Sequence, residues 1–154
     1  MSSTSVRIAS VMLAASVLCG SSTLAGSVNE EKGLAIRGFD PVAYFTQGRP
    51  VVGLAKYKAR HGGATFRFAT AANRDSFVAR PERWAPAYGG FCAYGTSQGY
   101  KAAIHPAAFT IVEGRLYLNY NAEVKKKWSE DVPGYIEKAD RNWPTVAKTE
   151  KVFR

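Results

Sequence analysis

A chain of 154 residues that is 46% hydrophobic and 12% aromatic has enough apolar mass for one folded core, and this excludes a disordered polyelectrolyte. Its formal net charge of +9 favours acidic partners, anionic lipid surfaces or nucleic acid. The basic residues are spread along the chain, and Lys125-Lys126-Lys127 is the one tight run.

The N-terminus reads differently from the rest. Arg7 is the only charge before an apolar run from Ile8 to Leu18, and small residues then lead to Thr23-Leu24-Ala25. A short positive start, an apolar middle and small residues at −3 and −1 predict a cleavable signal peptide over residues 1–25, cut after Ala25. The run falls short of the roughly 20 apolar residues that span a bilayer, so no stable membrane span is expected after cleavage. Cys19 would suit lipidation, but Leu18 stands before it where a small side chain is needed. The chain is therefore expected to be periplasmic or secreted, which removes nucleic acid as a partner. Cleavage leaves a net charge of +8, one cysteine (Cys92), two histidines (His61 and His105) and no methionine. Exported compartments oxidise thiols into pairs, so a single cysteine is a buried inert thiol, a reactive thiol, a ligand or an intermolecular partner.

The predicted domain runs from 33 to 146, with a tail over 147–154. Asp40 can accept from free amides ahead of a short helix that starts near Pro41, and Gly48 and Pro50 end it. Tyr57, Ala59 and His61 alternate with charged residues, as do Ala64, Phe66 and Phe68. Gly62-Gly63 between them predicts a hairpin with a tight primed turn and His61 at its tip. Thr70 caps a helix from Ala71 to about Ala79, with Phe77 inward and Pro81 closing it. From Pro81 to Pro106 glycines stand among aromatics, and the pattern assigns no element. A second hairpin turns at Glu113-Gly114, with Phe109 and Ile111 before the turn and Leu116, Leu118 and Tyr120 after it. Two helices follow. Asn121 caps the first, which carries Val124 and Trp128; Tyr135, Ala139 and Trp143 stripe the second, and Glu137 can pair with Arg141. The Lys125–Lys127 run falls at a helix C-terminus, where cations complement the macrodipole. The sum is an α+β fold: one small domain with two β-hairpins and several short helices.

Several of these segments together resemble the YHS-domain family. They are Gly38-Phe39-Asp40-Pro41-Val42-Ala43-Tyr44-Phe45, His61-Gly62-Gly63-Ala64-Thr65-Phe66-Arg67-Phe68, Pro81-Glu82-Arg83-Trp84, Tyr88-Gly89-Gly90-Phe91-Cys92-Ala93-Tyr94-Gly95 and Asn142-Trp143-Pro144. They look like an exported bacterial branch of that family. The resemblance implies a small metal-binding module for copper or another soft ion. Where the family's metal-binding members carry cysteines, this chain has Ala43, Ala69 and Asn73, none of which supplies a thiolate.

Cys92 with one or two imidazoles, His105 first and His61 second, would suit a soft ion. The expected function is therefore an exported, non-enzymatic binding module that takes a soft metal ion through Cys92. The alternative is a metal-free module that binds a small ligand or a protein partner in an aromatic pocket formed by Tyr44, Tyr88, Tyr94 and Tyr100. A thiol-dependent enzyme is the third reading. It needs a depressed Cys92 pKa, and neither a Cys-x-x-Cys pair nor a protease signature accompanies the thiol. Capping explains Asp40 without a catalytic role.

Overall fold

A computed structural model describes residues 27–154, and the expected leader over 1–25, with Cys19, lies outside the described residues. Two short strands, β1 (Glu30–Glu31) and β2 (Leu34–Ala35), pair antiparallel. The chain then reaches Asp40, which is fully buried (0% exposed). A buried carboxylate is tolerated only when donors surround it. Its Oδ1 accepts from the amides of Val42 at 2.8 Å and Ala43 at 3.2 Å, which starts the one-turn helix α1 (Ala43–Thr46). Its Oδ2 accepts from the amide of Ala69 at 2.8 Å and from Asn73 Nδ2 at 2.7 Å. The capping expected from sequence is half of what the residue does; the other half ties α1 to the first hairpin and the helix after it.

That hairpin joins β3 (Leu54–His61) to β4 (Ala64–Phe68). His61 pairs with Ala64 across Gly62 and Gly63, whose φ angles of +58° and +85° are what a two-residue primed turn requires. Ala64, Phe66 and Phe68 are buried while Thr65 and Arg67 face out. Helix α2 (Ala71–Ala79) begins where the Thr70 hydroxyl accepts from the Asn73 amide, and Phe77 packs on Phe66 and Phe68 with ring centroids 4.9 and 5.1 Å apart. Parallel pairing of β2 with β4 completes a sheet of order β1-β2-β4-β3.

The stretch that carried no sequence assignment folds as helix α3 (Pro81–Trp84), a 3₁₀ turn over 87–90, helix α4 (Ala93–Ser97) and strand β5 (Lys101–Ala102). Tyr88, Gly89 and Gly90 all have positive φ, which erases helical periodicity there. The second hairpin, β6 (Phe109–Val112) and β7 (Arg115–Leu118), turns at Glu113-Gly114 as expected. Helix α5 (Ala122–Trp128) is capped by Asn121, whose side chain accepts from the Val124 amide at 2.8 Å. Helix α6 (Val132–Val146) is capped by Asp131 and packs against α4. Its Glu137 and Arg141 form the expected pair on the exposed side. The fold is α+β, one small domain with two β-hairpins and several short helices.

Both domain boundaries move outward from those read in the sequence. Asn29, upstream of residue 33, is buried and donates to the Gly90 carbonyl at 3.0 Å. The expected tail over 147–154 carries strand β8 (Val152–Phe153), which pairs parallel with β5. Lys101, buried in the seam, donates to the carbonyls of Ala147 at 3.0 Å and Thr149 at 2.6 Å.

Asp40→Ala leaves four donors facing a gap. Because each orphaned buried donor costs about 1–3 kcal/mol, we expect the unfolding free energy to fall by about 3 kcal/mol or more. Urea denaturation of the variant checks this, and a loss below about 1 kcal/mol would show that water satisfies those groups.

Candidate functional site

Cys92 is set at the join of three elements. Its amide donates to the Ala102 carbonyl of β5 at 3.1 Å, it bridges to Leu118 at the end of β7, and it caps α4. The sulfur accepts from the Gly95 amide at 3.4 Å, and the thiol donates to Asn119 Oδ1, 3.5 Å away. The same oxygen accepts from the Tyr94 amide at 3.1 Å. Asn119 is fully buried (0% exposed), and its Nδ2 has no hydrogen-bond partner among the described residues.

Two effects act on the thiol in opposite directions. Burial disfavours the thiolate, and the amides of Gly95, Tyr120 and Tyr94 favour it; burial wins, and the Cys92 pKa is pushed above its ordinary value. A protonated thiol that donates to an amide oxygen is a poor nucleophile at neutral pH.

Above the sulfur lies a cavity of about 510 Å³. Cys92 and Ala102 border it, and Tyr94, Tyr100, Tyr120 and Phe153 bring aromatic rings, with Val124 and Arg154 completing the lining. Tyr100 reaches this position because residue 95 is glycine: a Cβ there would sit 3.0 Å from the Tyr100 ring. Tyr100 stacks edge-on against Phe153 of β8, ring centroids 5.0 Å apart. Tyr94 packs on Tyr135 of α6 at 5.2 Å, and Lys127 lies with its Nζ 5.5 Å from the centre of the Tyr94 ring, a proximity that raises that lysine above its ordinary range. Tyr100 (36% exposed), Tyr120 (39%) and Phe153 (46%) are large apolar side chains in contact with solvent, and all three converge on this one cavity.

A second cavity, of about 530 Å³, opens near the tip of the first hairpin. Its cations each make a backbone contact, with Glu30 and Glu150 beside them: Arg60 donates to the Gly63 carbonyl at 2.8 Å, Arg154 to the Glu30 carbonyl at 3.4 Å, and Lys101 to carbonyls that follow α6. The hollow over Cys92 is the better candidate binding site, because its lining is mostly apolar and aromatic.

The residues singled out from sequence fall into two groups. Cys92, Tyr94 and Tyr100 meet at the cavity. Tyr44 is buried in the core, edge-on to Phe109 at 4.9 Å, and its hydroxyl donates to the Pro106 carbonyl at 3.1 Å. Tyr88 is buried against α6 and donates to Asp140 Oδ1 at 2.9 Å. Neither ring borders the cavity over Cys92. His61 lies edge-on to Phe77, ring centroids 5.7 Å apart, on the inner side of the first hairpin. His105 is an exposed loop residue whose Nδ1 accepts from the Ala107 amide at 3.2 Å, and it lines two smaller hollows, one of them bordered by Tyr120. The hydrogen-bond partners of the sulfur among the described residues are the Gly95 amide and Asn119 Oδ1, and neither imidazole borders the cavity over it. Among the described residues no group of three or more His, Cys, Asp or Glu is placed to hold an ion.

Tyr120 was visible in sequence only as the end of a strand. Phe153 and Arg154 were assigned to the tail, and nothing local marks a strand of two residues that pairs some fifty positions away. Compared with protein-family models, curated proteins and solved structures, the chain matches none.

Burial also raises the pKa values of Tyr44, Tyr88 and Tyr117. A group whose folded pKa exceeds its unfolded one keeps its proton longer in the native state, so its stabilisation is complete below the unfolded pKa and is lost as pH rises. We expect unfolding free energy to decline as pH rises above about 9, the ordinary thiol value. Iodoacetamide should modify Cys92 at neutral pH more slowly than a free thiol, by about tenfold or more. Denaturation and alkylation measured across alkaline pH check both, and fast labelling near pH 7 would restore the nucleophile reading.

Proposed function

We propose that this chain is an exported, YHS-type binding module that takes a small, uncharged aromatic ligand in the cavity over Cys92. The observation that carries this reading is the convergence of Tyr100, Tyr120 and Phe153, all solvent-contacting, on one hollow of about 510 Å³. Exposed apolar rings rimming a concave surface support ligand capture, because their burial is favourable and among the described residues they keep 36–46% of their surface exposed. The protonated Cys92 sulfur borders the hollow, with Asn119 buried behind it. Cys92 in this reading supplies shape and hydrogen-bonding order; it neither attacks the ligand nor holds an ion. Export rests on the N-terminal pattern; no described helix is long and apolar enough to cross a membrane.

The test uses the fluorophore N-phenylnaphthylamine as an uncharged aromatic probe. Tyr100→Ala and Phe153→Ala should each weaken its binding about tenfold, which is about 1.4 kcal/mol. Cys92→Ser should change it less than about threefold. Titration with Cu(I) separates the soft-ion function: wild type and Cys92→Ala are expected to bind equally weakly, and a Cys92-dependent high affinity would replace the present reading. Protein recovered after export should begin within a few residues of Gly26, as N-terminal sequencing can determine.

A further inference from the structure

The register of the first sheet assembles basic residues that are scattered in sequence. Directly paired residues of a sheet point to the same face. Lys58 stands opposite Arg67, and Arg60 opposite Thr65, on the face turned away from the core. Thr65 is paired in turn with Leu34, and Leu34 with Glu31, so the same face continues across β2 to β1. Glu31 is the carboxylate that this register brings there, and it is held by Arg37 at 3.6 Å and Arg154 at 3.9 Å. Lys58, Arg60 and Arg67 have no ion pair within 4.0 Å among the described residues. Glu30 and Glu150 border the neighbouring cavity with Arg60, yet neither pairs with it.

Like charges placed directly opposite on adjacent strands destabilise a hairpin. The Lys58–Arg67 pair is such a placement, and among the described residues no carboxylate lies within 4.0 Å of either cation. Lys58 and Arg67 lie on the outer face of the sheet and Arg60 stands at the edge of the cavity by the hairpin tip, so the spread-out array fits a broad anionic surface better than a single anion or a protruding peptide. We propose that the outer face of β3 and β4 docks the exported domain on a bilayer rich in anionic phospholipid, with Lys58, Arg60 and Arg67 meeting the lipid phosphates. Leu34, the apolar side chain that this register brings to the face, is half-buried, so the attachment is mainly electrostatic and reverses with salt. It uses the exported setting and is independent of the cavity over Cys92.

Co-sedimentation of the processed chain with phosphatidylcholine vesicles, with and without roughly a quarter phosphatidylglycerol, tests the proposal. At low salt the wild type should bind the anionic vesicles and leave pure phosphatidylcholine in the supernatant. Each basic residue near such a surface contributes about fivefold in partitioning, so Lys58→Gln/Arg60→Gln/Arg67→Gln together should weaken binding roughly a hundredfold. A charge-matched control, Lys126→Gln/Lys138→Gln/Lys148→Gln, should weaken it by less than about threefold. Any leader retained on the chain acts equally on both triples. Lys58→Gln alone should raise the melting temperature while weakening binding about fivefold, a combination that misfolding cannot produce. Equal losses in the two triples, indifference to phosphatidylglycerol, or binding to polyglutamate without binding to vesicles would overturn the proposal.

Discussion

The carboxylate of Asp40 is the interaction from which the rest of the domain is built. With no solvent contact, it is answered by two amides of its own turn, the Ala69 amide at the end of β4, and the Asn73 side chain on α2. These donors come from segments about thirty residues apart, so the carboxylate sets how α1, the first hairpin and α2 meet. Phe66, Phe68 and Phe77 then close a core in a single arrangement, and that core also contains Leu118 and Cys92. The position of the sulfur is therefore a consequence of packing that begins more than fifty residues earlier.

Asn119 does for the second half what Asp40 does for the first. One side-chain oxygen takes the Tyr94 amide and the Cys92 thiol, while its backbone exchanges hydrogen bonds with the loop around His105 and Ala108. The second hairpin, α4 and the following loop are thereby locked around the sulfur. This same enclosure explains why Cys92 is a weak candidate for nucleophilic chemistry. Backbone amides favour its thiolate, but their effect is outweighed by removal from water. Cavity and thiol are neighbours without the thiol being the reactive centre.

The C-terminal segment changes the character of the site. Lys101 is buried and its pKa is lowered by that burial, yet it reaches the carbonyls that follow α6 and lies over the Phe91 ring at 5.0 Å. It anchors the last residues, and β8 then adds Phe153 beside Tyr100. Without that segment Tyr100 would stand alone on the surface. With it, the site is a walled hollow.

Local chemistry made much of this domain legible from sequence alone. Gly62-Gly63 and Glu113-Gly114 announced both hairpins, because only certain residues accept left-handed backbone at a tight turn. Thr70 and Asn121 announced helix starts, because a short acceptor is needed where amides lack partners. The period of Tyr135, Ala139 and Trp143 announced α6. The stretch from Pro81 to Pro106 was illegible, since its positive-φ residues obey no period and are held by partners far away, such as Asn29. For the same reason the sequence could nominate Cys92, Tyr94 and Tyr100 but could not separate them from Tyr44 and Tyr88. Which aromatic rings face a cavity, and which imidazoles stand near a sulfur, depends on contacts between residues distant along the chain. Only tertiary packing decides those contacts.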